Sequence, residues 1–352
     1  VISRVAEHCF WLARYVERLD AMARLLRVNR VFVLDVELPR EERWLPIIII
    51  SGERERLAEH LRSDVPEGDA VEAYFTWDER SPVSLRSSLY WARENARTIR
   101  EVISLEMWEV INGGWQWFDR GPAQRLFKKD RDAFYREVRI LVDQFRGLSQ
   151  STLLREEPHH FMGLGALLER AGQTARTLDT RHHTLDAESK RAGTAVDLAR
   201  WNMLLASCSA REPFAKRNRG LPTGRSVAAF LVLERTFPRS VRYCLDEACL
   251  IGRRISPREP GRPAAQPSLV ALDQLRSTVA AYTEPLLFED SIHGLLVSVI
   301  EQLSDVCAGL HRDYFDPSLP DMTARAGAPP AARLASPTER TPVVTAPIDH
   351  ES

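Results

Sequence analysis

At 352 residues the chain exceeds the roughly 250 to 300 at which a single hydrophobic core stops growing, so two packed units or one large helical body are expected. A formal net charge of −1 from 48 basic and 49 acidic residues removes the long-range field of a general nucleic-acid binder. There is neither a signal-type apolar region nor an apolar run of about 18 residues, which argues against export or membrane spanning and sets the expectation of a soluble cytoplasmic protein.

The first element is a long helix. Val5, Cys9, Leu12, Val16, Leu19, Ala23 and Leu26 follow one another by four and three residues, forming one apolar stripe that Ser3 can cap. Ile47 to Ile50 is β-branched and could make a short strand, but Pro46 and the Glu-Arg-Glu-Arg-Leu that follows favour a helix. Leu89, Ala92, Ala96, Ile99 and Ile103 predict a second long helix from Leu85 to Ile111, with Ser81 and Pro82 as cap and first turn.

"NGGWQWFDRGP" (112 to 122) reads as a loop, with Trp115 and Trp117 either anchoring a partner or tucking back onto their own helices. The helical period returns over Ala133 to Phe145, Phe161 to Leu178, Val196 to Ser207, Ser226 to Leu233 and Leu269 to Tyr282, and a last helix spans Ile292 to Tyr314. "SPREPGRPAAQPS" (256 to 268) separates two of these helices. From Asp316 onward, periodicity and large apolar residues are lacking, which predicts a disordered tail. The fold class is therefore all-α, a helical bundle with a first half over 1–150, a second half over 151–315 packed on it, and a tail over 316–352. The five cysteines (Cys9, Cys208, Cys244, Cys249, Cys307) show no zinc-type spacing and read as buried free thiols.

One helix is spelled twice. "WLARYVERLDAMARLL" (11 to 26) and "GLGALLERAGQTARTL" (163 to 178) align Glu17 with Glu169, Arg18 with Arg170, Ala23 with Ala175 and Arg24 with Arg176, which suggests an internal duplication. The Glu-Arg dipeptide alone carries no weight, because it occurs eight times in the chain. On the helical wheel Glu17, Asp20 and Arg24 border the core, while Arg18 points about a quarter turn away, towards Arg14. The expectation is that Glu17 and Glu169 are buried and held by arginine, from Arg24 and Arg176 or from the Arg93 to Arg100 helix. Ala23, Gly172 and Ala175 should permit close approach of the two helices.

Five ordered motifs, "ISRVAEHCFWLARYVERLDAMARLLRVN", "SSLYWARENARTIREVISLEMWEVIN", "LERAGQTARTLD", "FPRSVRYCL" and "GLHRDYF", resemble the bacterial alpha-E family, named for its helical content and Glu-Arg motif. The resemblance covers residues 1 to 315 and implies an all-helical fold. It also implies two partners, a circularly permuted ATP-grasp amidoligase and a transglutaminase-like protein, and a role in peptide synthesis or tagging. The positions it marks for binding are Glu17, Arg18, Arg24, Glu94, Asn95, Arg97, Glu106, Trp108, Glu169, Arg170, Arg176, His293 and His311. "GALLER" stands where "GRYLER" is commoner, putting Ala166 and Leu167 in place of Arg and Tyr; if the motifs form one symmetric site, its second half is weakened.

Direct catalytic signatures are sparse. Glu156, Glu157, His159 and His160, or Glu289 with His293, offer carboxylate and imidazole for a metal, but a bundle site needs more such ligands on facing helices, and solvated charge at a helix entry is the simpler reading. There is no nucleophile elbow and no glycine-rich phosphate loop, so no cofactor is expected and ATP chemistry falls to a partner. Arg97 and Glu101 can pair along the Leu85 helix, with Glu94, Asn95, Glu106 and Trp108 lining a groove. The reading is a non-catalytic helical adaptor that binds an ATP-grasp amidoligase or its peptide substrate; the alternative is an enzyme acting on peptide amide bonds through buried Glu, Arg and His.

Overall fold

The structure is a computed structural model that describes residues 3–39, 42–61, 68–180, 194–255, 266–289 and 291–315. Among these residues there are sixteen α-helices and no strand. In the first half they are α1 (Ser3–Asp35), α2 (Leu45–Ser51), α3 (Arg54–Leu61), α4 (Gly68–Trp77), α5 (Leu85–Thr98), α6 (Leu105–Asp119), α7 (Pro122–Lys129) and α8 (Arg131–Ser151). Then follow α9 (Glu157–Asp179), α10 (Ala195–Ser207), α11 (Arg211–Arg217), α12 (Gly224–Leu233), α13 (Val241–Ile255), α14 (Pro267–Ala281), α15 (Glu284–Glu289) and α16 (Ile292–Leu310), which runs on into a π-helical turn at His311–Phe315. The expected tail at 316–352, and residues 256–265 of the proline-rich loop, lie outside the described residues.

The all-α expectation holds, including at the isoleucine run, where Ile47, Ile48 and Ile50 are buried along α2 and Pro46 occupies its first turn. The 33-residue α1 packs on α9, α5, α8 and α10, while α9 packs in turn on α13 and α16. These two are the central pair. Cys9, Leu12, Leu19, Ala23 and Leu26 are fully buried on α1, and Leu164, Ala171, Ala175 and Leu178 on α9. One continuous apolar cluster runs from Ala6 to Phe315 and draws on both halves of the chain.

Three expectations are corrected. The Leu85 to Ile111 helix is two helices, because Ser104 caps a new one by accepting the Met107 amide, and the intervening turn buries Ile99 and Ile103. The cap of α5 is Ser84, whose side chain accepts the Ser87 amide, rather than Ser81. Residues 112 to 119 are helix, not loop: a Cβ on Gly114 would meet Leu141 of α8 at 1.9 Å, so close packing outweighs the weak helix propensity of glycine. Trp115 and Trp117 consequently lie against their own scaffold, on Tyr90 and Phe134 respectively.

Candidate functional site

Close approach of α1 and α9 rests on Gly165, where a Cβ would stand 2.3 Å from the Phe10 carbonyl oxygen. Ala23 and Ala175 are fully buried as expected. Gly172 serves differently, since a Cβ there would meet only the Arg176 guanidinium, at 3.2 Å.

Across this contact the two Glu-Arg pairs exchange partners. Arg170 of α9 donates to Glu17 of α1, from Nη2 at 2.6 Å and Nε at 3.2 Å. Arg18 of α1 donates to Glu169 of α9, from Nε at 2.8 Å and Nη2 at 3.2 Å. Both are forked guanidinium–carboxylate contacts, the geometry that makes such pairs strong. Glu17 and Glu169 are 3% and 2% exposed, so each motif supplies the carboxylate of one buried pair and the cation of the other.

Around Glu17 a first arginine cage assembles. Arg146 of α8 donates from Nε to Glu17 at 3.1 Å and from Nη2 to Asp20 at 2.8 Å. Arg239, just before α13, donates to Asp20 at 2.7 Å, and Arg24 does so at 2.6 and 2.8 Å. Asp143 adds an outer contact to Arg146 at 3.4 Å. Two backbone contacts tie the segment before α13 in place: Arg170 donates to the Pro238 carbonyl and Thr174 to that of Arg239. Burial alone would raise the Glu17 pKa, but Arg170 and Arg146 overcome it and leave it at about 2. Asp20 is likewise held well below its usual range, burial being outweighed by Arg239, Arg146 and Arg24.

A second cage surrounds Glu169. Arg14 places Nε at 2.9 Å and Nη2 at 2.8 Å from Oε2, Gln173 donates at 3.1 Å, and Arg176 lies 3.8 Å away. Arg14 also lies over the Trp11 ring at 4.6 Å and Arg18 over the Tyr15 ring at 5.6 Å. Burial favours protonation of Glu169, yet Arg18 and Arg14 hold its pKa far below the carboxylate range. Ala166 and Leu167 pack into the apolar core, and the departure from "GRYLER" leaves this cage with its arginines.

The other expected positions lie elsewhere. Arg24 holds Asp20 of its own helix and no arginine of α5 holds either glutamate, because the partner of each is the arginine that projects across the α1–α9 contact. Glu94, Arg93 and Arg97 form a half-exposed charged row on α5, and Arg97 pairs with Glu94 at 2.7 Å rather than with Glu101, since α5 ends before residue 101. Arg93 and Arg100 flank the Trp108 ring at 5.7 and 5.0 Å, and Glu106 is exposed in the first turn of α6. Asn95 is buried and its Oδ1 lies 2.8 Å from His8 Nδ1. His293 meets Asp179 at 2.6 Å and His311 meets Glu7 at 3.4 Å, so the marked positions form several clusters rather than one groove.

Arg14, Arg146 and Arg239 complete the cages without having been marked. Arg14 and Arg239 stand inside quoted motifs, whereas Arg146 has no sequence signal of its own. Among the described residues no group of three or more His, Cys, Asp or Glu side chains is placed to hold a metal ion, and no helix is long and apolar enough to cross a membrane. Cys9, Cys208, Cys244 and Cys249 are buried, and burial pushes the thiols of Cys9 and Cys244 up to about 12, which disarms them as nucleophiles at neutral pH.

Residues 1–315 match the Alpha-E family, described as a predicted alpha-helical domain with a conserved ER motif. Two curated relatives, an uncharacterized protein of Mycobacterium bovis and one of Mycobacterium tuberculosis, are each 23% identical over 334 residues. The match takes in 89% of this chain but 36% of theirs, so the chain spans about a third of the length of these relatives. No solved structure matches the chain.

Proposed function

The chain belongs to the Alpha-E family, and we propose that it acts as a non-catalytic helical partner of an ATP-grasp amidoligase or peptide-modification system, binding the ligase or its peptide substrate. The observation that carries this reading is the state of the buried carboxylates. Glu17, Asp20 and Glu169 are each clamped by arginine and held ionised far below neutral pH, which suits rigid ties and unsuits general acid–base work. The greater length of the mycobacterial relatives fits a module that works joined to another protein. The charged row of α5 beside Trp108 offers a half-exposed surface for that partner.

A pull-down with the ATP-grasp protein encoded nearest the gene, followed by a peptide-ligation assay with and without this chain, tests the reading. The chain alone should turn over no ATP, should bind the ligase or its peptide, and should alter ligation. Arg97→Glu on α5 should weaken the binding, whereas Arg253→Glu, equally exposed on α13, should not. ATP hydrolysis or peptide cleavage by the chain alone would overturn the adaptor and favour an amide-bond enzyme.

A further inference from the structure

The two cages differ in how completely their donors are used. In the second, one carboxylate, Glu169, faces three guanidiniums, those of Arg14, Arg18 and Arg176. Arg176 is the least engaged: its guanidinium folds back over Gly172, is one-third exposed, and among the described residues has the 3.8 Å ion pair with Glu169 as its one polar contact. Two further donors stand on α1, on rings that Arg14 and Arg18 overlie. The Tyr15 hydroxyl, on a residue 1% exposed, and the Trp11 indole nitrogen are buried and donate to nothing among the described residues. Both belong to the α1 face that carries Arg14 and Arg18, at positions 11, 14, 15 and 18, where helical spacing brings side chains together. The opposing α9 face presents Glu169, Gly172, Gln173 and Arg176 at the same spacing. Leaving buried donors without acceptors is costly, and a surplus of cations in a half-buried site costs more.

We propose that this cage binds a phosphoryl dianion, with Arg176 and Arg18 supplying the charge and Tyr15 and Trp11 the neutral donors. A dianion matches the surplus of two positive charges over Glu169, and planar guanidiniums suit its tetrahedral oxygens. Arg14, Arg18 and Arg176 each retain some exposure, so the ligand meets the guanidiniums from solvent, whereas the Tyr15 hydroxyl and the Trp11 nitrogen are covered and are reached only by a shift of the side chains over them. The Glu17 cage differs: its four arginines share two buried carboxylates, Glu17 and Asp20, with Asp143 and the Pro238 carbonyl as further acceptors, and Arg24 Nε is its one arginine nitrogen buried without a partner among the described residues. The assignment stands whether or not the chain is an adaptor.

Isothermal titration of the full chain with orthophosphate, with ATP and with acetate tests it. Saturable binding of orthophosphate is expected, with acetate much weaker; ATP binding as well would identify a phosphoryl group on a larger molecule as the source, and orthophosphate alone would identify the free ion. Tyr15→Phe removes one hydroxyl that bonds nothing in the protein, so it should leave the phosphate-free melting temperature unchanged while weakening phosphate binding about ten-fold. Arg176→Gln should weaken it at least as much. Absence of phosphate and ATP binding at millimolar concentration, equal binding of acetate, or full affinity in both variants overturns the assignment.

Discussion

The cages around Glu17 and Glu169 are built from the same dipeptide yet do different work. The first draws arginines from α1, α8, α9 and the segment before α13, and spreads them over two buried carboxylates, so it ties four parts of the chain together. The second draws its arginines from α1 and α9 alone and backs them with aromatic faces. An identical motif is therefore a four-way crosslink where it meets a second carboxylate and third-party helices, and a two-helix tie where it does not.

Asp20→Asn gives the largest expected effect, because it removes the negative charge that Arg24, Arg146 and Arg239 share and turns one of the two acceptor oxygens into a donor. With Arg24 95% buried, urea denaturation should show a loss of about 3–5 kcal/mol. A loss of a few tenths would demote the first cage to surface decoration.

Acid should break both cages. Glu17 falls from 4.5 in a free chain to about 2 in the fold, so its contribution, about 3 kcal/mol by linkage, is complete above pH 4.5 and drains away as pH falls towards 2. Asp20 and Glu169 are depressed in the same direction and steepen the same limb. Melting temperatures between pH 7 and pH 3 should drop for the native chain and drop less for Glu17→Gln; parallel curves would contradict the cage.

A double-mutant cycle sharpens the exchange between helices. Glu17→Gln with Arg170→Gln should show coupling of about 0.5–3 kcal/mol, while Glu17→Gln with Arg18→Gln, neighbours in sequence, should be nearly additive. The reverse ranking would mean that each dipeptide is self-contained.

The smallest effects compare two glycines of α9. Gly165→Ala drives a methyl into the Phe10 carbonyl and should cost about 1–3 kcal/mol by overpacking. Gly172→Ala meets only the end of a flexible arginine and should stay below about 1 kcal/mol in thermal melts, helped by the better helix propensity of alanine.

Which parts were legible in the sequence follows from the range of each signal. Apolar spacing is local, so α1, α9 and the isoleucine helix were readable, as was the burial of Glu17 and Glu169 beside their stripes. The double glycine at 113 and 114 was misread because the helix there is justified by Leu141 on another helix. A helical wheel also says which way a side chain leaves its own helix and nothing of what it meets. Arg18 turns away from Glu17, and that is why it reaches Glu169, a partner 151 residues distant. Arg146 carried no pattern, since a lone arginine on an amphipathic helix looks the same whether it faces water or a cage.

The π-helical turn at His311–Phe315 folds back onto the start of α1, with Phe315 5.4 Å from Phe10 and His311 beside Glu7. The two extremities of the helical body are thus neighbours. A body whose chain arrives and departs at one corner can be spliced into a longer polypeptide like a bead on a stalk, without pulling its helices apart.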